Sequence, residues 1–104
     1  MTRRERDMTF KTDGEMYDAS LTRKTERQAK MLKEKIEMQI RLFGYISIFM
    51  IVCSFNGFPE PRNAGYAAYH GWTEEDIQKF EIRKNIDGTF GVYLGTPRFI
   101  GPYI

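Results

Sequence analysis

From Leu42 to Phe58 the chain carries no charged side chain, its ionisable groups being only the Tyr45 phenol and the Cys53 thiol, while the residues before it are dense in charge. This segregation constrains the fold more than any average, because a block without charge is what a bilayer selects. As a helix rising ~1.5 Å per residue it reaches about 26 Å, slightly short of a ~30 Å hydrocarbon core. Ile40 extends the block backwards, Arg41 can snorkel its guanidinium to the headgroups, and local thinning absorbs the remaining mismatch. The competing reading is a helix buried on all faces in a soluble assembly, which requires a shell of apolar segments. The tail offers one modest cluster for that shell, centred on Ile77, Phe80, Ile82, Val92 and Leu94, too small to surround a helix.

The expected architecture is mainly α. A single transmembrane helix at 42–58 continues from a long charged juxtamembrane helix, and a small C-terminal tail contains a short helix, a hairpin and an extended strap. Residues 1–19 form an extended arm with neither helical nor strand periodicity, and no apolar stretch behind the basic start marks a cleaved signal peptide. Residues 20–41 form a basic juxtamembrane helix. Glu26–Lys30, Lys30–Glu34, Lys33–Glu37 and Glu37–Arg41 are spaced i,i+4, and Leu32, Ile36, Ile40 and Phe43 make a narrow apolar stripe. Asn56 to Pro61 end the span, and residues 59–104 form the tail. Within it Thr73 caps a helix of about two turns, Asp87-Gly88 marks a two-residue type I′ hairpin, and 95–104 is the strap, with Phe99, Ile100, Tyr103 and Ile104 as apolar handles.

Basic residues crowd the stretch before the span, against Arg62 alone in the comparable stretch after it, which places the N-terminus on the positive-inside face. Lys30, Lys33, Lys35 and Arg41 are the candidates for lipid headgroups; a solvated helix face is the simpler account of the same charges. Net charge is only +2 and no aromatic residue interleaves the basic helix, so no nucleic-acid partner is expected. Gly44, Ser47, Ile51 and Ser54 share one helical face and form a small-residue seam for a neighbouring helix. Tyr66, Tyr69 and Trp72 are candidates for an interfacial aromatic belt, or equally for packing within the tail.

Chemistry is sparse. There is no phosphate loop, metal-spaced Cys/His cluster or nucleophile elbow, so no catalytic residue, metal, cofactor or small-molecule substrate is expected. His70 beside Trp72 would matter only as an axial ligand to a tetrapyrrole, and an interfacial or hydrogen-bonding histidine is the commoner case. Glu74, Glu75 and Asp76 suit the first turn of a helix better than an acid/base pair.

In general type this layout resembles the single-span supernumerary subunits of mitochondrial respiratory complexes or ATP synthase. That resemblance implies a non-catalytic accessory subunit, in contact with other subunits of a membrane complex and with membrane lipids. It would sit in the mitochondrial inner membrane and serve electron transport by holding an assembly together, with its N-terminus in the matrix and its C-terminus in the intermembrane space. A small bacterial or viral single-span regulator, or a tetrapyrrole-carrying subunit of a photosynthetic or cytochrome complex, would share the topology.

Overall fold

A computed structural model describes residues 17–63 and 65–103. The Asp18 carboxylate accepts from the Ser20 N–H and starts a 3-10 turn at Ala19–Leu21, which leads into strand β1 (Thr22–Arg23). Thr25 caps helix α1 (Glu26–Phe43) by accepting from the Gln28 N–H, so the helix begins later than its charge pattern alone suggests. Strand β2 (Tyr45–Ser47), helix α2 (Ile48–Val52) and a 3-10 turn at Ser54–Asn56 follow. The remainder is β3 (Ala67–His70), helix α3 (Glu74–Gln78), β4 (Glu81–Lys84), β5 (Phe90–Tyr93) and β6 (Phe99–Pro102). The strands form two antiparallel sheets, ordered β1-β5-β4 and β2-β3-β6. The chain is therefore a small α+β domain.

This overturns the transmembrane expectation for 42–58. Among the described residues no helix is long and apolar enough to cross a membrane. The reason is local. Gly44 takes a left-handed conformation, φ 81°, and its N–H closes α1 onto the Ile40 carbonyl. Tyr45 and Ile46 then suit a strand, and the Ser47 hydroxyl accepts from the Met50 N–H and starts a separate short helix. Gly57, also at φ 81°, ends the segment. What reads as one apolar block is thus a helix end, a strand, a short helix and a 3-10 turn.

The missing shell comes from the charge-dense helix. Ala29, Leu32, Ile36 and Ile40 are buried, at one helical face, and pack with Leu21, Ile46, Ile51 and the tail residues Trp72, Ile77, Phe80, Val92 and Leu94. Phe43, placed on the same stripe by its spacing, is exposed because the helix ends there. Helix α1 lies across β1, β5 and β4 and reaches β2.

In the tail, Thr73 and Asp76 form a full capping box at the start of α3, as their spacing predicts. The hairpin at β4–β5 is also present, but its loop is longer than the two residues expected. The Asn85 N–H donates to the Thr89 carbonyl and the Gly88 N–H to the Asn85 carbonyl, with Gly88 at φ 85°, which is a three-residue loop. Asn85 is buried: its amide donates to Thr89 Oγ1 and Tyr17 Oη, and its carbonyl oxygen accepts from Tyr93 Oη. The strap is not a free handle. Residues Phe99–Pro102 pair with β3 as the outer strand of the second sheet. Most of the expected arm, and Ile104, lie outside the described residues.

Candidate functional site

The second sheet has one face toward the core and one away from it. Tyr45, His70 and Phe99 are register partners across β2, β3 and β6 and therefore share a face; so do Ser47, Ala68 and Gly101 in the adjacent row. Tyr66 and Tyr103 continue the alternation, and the Tyr103 N–H donates to the Tyr66 carbonyl. Ile46 and Tyr69, one residue out of phase, point to the core. Rows of rings thus flank a row of small side chains.

The rings touch in sequence. Phe43 meets Tyr45 at 6.4 Å between centroids, Tyr45 meets His70 at 5.6 Å, and His70 stacks on Phe99 at 4.8 Å with planes 2° apart. Tyr45 stacks on Tyr103 at 5.4 Å across the small row, and Tyr103 meets Tyr66 at 5.8 Å. His70 on Phe99 and Tyr45 on Tyr103 lie near parallel, and the other three contacts are tilted by 43–59°. Tyr66 is 59% exposed and Phe99 57%. A surface of clustered tyrosine and phenylalanine, apolar in body and polar at the rim, has the make-up of a protein-contact patch.

His70 sits within this cluster. Its Nε2 is buried and has no hydrogen-bond partner. A tetrapyrrole ligand would need that nitrogen open to the metal, whereas here it is buried. Among the described residues no group of three or more His, Cys, Asp or Glu side chains comes together as a metal site.

The other residues singled out from the sequence are dispersed. Gly44 ends α1, Ser47 closes β2 and caps α2, Ile51 is in the core, and the Ser54 hydroxyl donates to Glu60, so the seam they would form on one continuous helix does not exist. Of the headgroup candidates, Lys33 pairs with Glu37 at 3.2 Å, and Arg41 donates through Nε and Nη2 to Glu74 at 3.1 and 2.7 Å, tying α1 to α3. The hydrogen bond to Glu74 holds the Arg41 guanidinium above its ordinary value, and the same contact holds the Glu74 carboxyl below the usual range. Lys30 and Lys35 remain exposed. Trp72 belongs to the core, its Nε1 donating to the Leu94 carbonyl at 3.1 Å and its ring edge-on to Phe80. Tyr69 packs against the core as well, which leaves Tyr66 as the expected aromatic that reaches the outer face.

The residues that sequence reasoning missed are Phe43, Tyr45 and the partnership of His70 with Phe99. The signal was present as period-two alternation in Tyr66, Ala68, His70 and in Phe99, Gly101, Tyr103. No protein-family model, curated protein or solved structure matches the chain.

Proposed function

We propose that this protein is a non-catalytic accessory subunit that joins a larger assembly through the outer face of its second sheet. The observation that carries the reading is the continuous ring contact from Phe43 through Tyr45 to Phe99 and Tyr66, on a face turned away from the core. Isolated exposed apolar side chains are ordinary, whereas a contiguous aromatic patch marks a contact surface. The expected respiratory-chain or ATP synthase host rested on a crossing helix; the aromatic face supports a protein partner without specifying a membrane. A regulator that binds its target transiently would use the same face, and stoichiometry separates the two.

The test is site-specific photo-crosslinking in the cells of origin, with the reactive residue at Phe99 and, as a control, at Ile86 on the hairpin tip, which is equally exposed. One dominant stoichiometric adduct from Phe99 and none from Ile86 is the expected result. Equal labelling from both positions would sink the proposal.

A further inference from the structure

Helix α1 has a second apolar line. Met31, Lys35, Met38 and Leu42 recur at i, i+4, i+7 and i+11, roughly 135° around the helix from the core-facing stripe at ~100° per residue. Met31, Met38 and Leu42 are 55%, 62% and 68% exposed. At its N-terminal end the line runs into an open groove of ≈ 220 Å³ lined by Arg23, Gln28, Met31, Leu32, Lys35 and Phe55. The recess suits one large side chain, and an adjoining, more open hollow of ≈ 530 Å³ shares Arg23, Gln28 and Phe55 with it.

The groove is cationic without compensation. The Arg23 guanidinium donates to the carbonyls of Ser20, Thr22 and Phe55 at 2.7, 2.8 and 2.8 Å and, among the described residues, to no carboxylate. Carbonyl dipoles fix its position but do not neutralise it, and burial pushes its pKa down. Lys35 lines the same groove, Lys24 lines its more open extension, and among the described residues no acidic side chain lines either.

We propose that the stripe and groove dock an acidic amphipathic helix of a partner protein, with one apolar anchor in the groove and carboxylates against Arg23, Lys24 and Lys35. The i, i+4, i+7 spacing fits a helical partner, and the charge selects an acidic one. A second copy of this chain would bring like charges together. An anionic bilayer offers no protruding side chain for a concave, recessed site. This surface is separate from the aromatic face and stands without the reading given to that face.

Fluorescence anisotropy on the full chain provides the test. The probe is a labelled four-turn helical peptide with leucines along one face flanked by glutamates; the comparison peptide has lysines in place of the glutamates. The acidic peptide should bind, more weakly as salt rises, and the basic one should not. Lys35→Glu and Met38→Asp, both at exposed positions, should each weaken binding about tenfold. Equal binding of both peptides, or indifference to both substitutions, would overturn the proposal. So would binding to phosphatidylserine vesicles in place of the peptide, or a concentration-dependent dimer lost on Met38→Asp.

Discussion

Sheet β1-β5-β4 and sheet β2-β3-β6 have the same strand number and antiparallel pairing, yet they treat their tyrosines in opposite ways. In the first, α1 covers one face, and on the other Tyr93 is buried, stacked on Tyr17 at 4.5 Å and bonded through its hydroxyl to Asn85. In the second, Tyr45 stacks on Tyr103, Tyr103 meets Tyr66 at a tilt, and Tyr66 stays mostly exposed. Ring against ring within the first sheet serves stability. The same contact on the second organises a surface.

If that division holds, substitutions on the two sides differ in kind. The largest loss is expected from Ile36→Ala, which empties a fully buried position under the first sheet and should cost about 2–5 kcal/mol in denaturant unfolding. Asn85→Ala, which removes the buried amide that accepts from Tyr93 Oη and donates to Thr89 Oγ1, should cost about 1–3 kcal/mol by the same measurement. Thr73→Ala removes the α3 cap and should cost about 1 kcal/mol.

A smaller effect lies in pH. Hydrogen bonds from Arg41 and from the Thr73 backbone hold Glu74 and Asp76 below their ordinary carboxylate values. Their contribution is complete above the unfolded-state range near ~4 and is lost as pH falls through the lowered folded-state values. The thermal midpoint should therefore drop on the acid side, and less steeply in Asp76→Asn. Least of all, Phe99→Ala should leave stability within about 0.5–1 kcal/mol while abolishing co-purification of the partner that crosslinking identifies. A core-sized loss at Phe99 would erase the contrast between the sheets.

Local signals were legible where a short motif decides the outcome. Thr73 with Asp76 announced α3, Asp87-Gly88 announced a turn, and Leu32, Ile36 and Ile40 announced the buried face of α1. The apolar run misled because hydropathy does not register backbone geometry. Gly44 counts as neutral in a span, but at a helix end its left-handed φ redirects the chain, and Ser47 reads as a small residue until it caps the next helix. Sheet two was illegible for a related reason. Its strands are separated by long intervals, and only pairing brings Tyr45, His70 and Phe99 into one row. Charge density hid the core in turn, since Ala29, Leu32, Ile36 and Ile40 lie among lysines and glutamates.

Strand β6 ends on Pro102, and its position along the ladder matters. Tyr103 directs its N–H inward to Tyr66, so the neighbouring nitrogen, that of Pro102, faces the open side of the sheet. Proline has no hydrogen to offer there. An incoming strand from another molecule would meet Ile100 but find the next donor missing, which discourages edge-to-edge pairing at β6. Phe99 and Ile100 can therefore stay exposed on opposite faces of β6 while that edge of the sheet resists polymerisation.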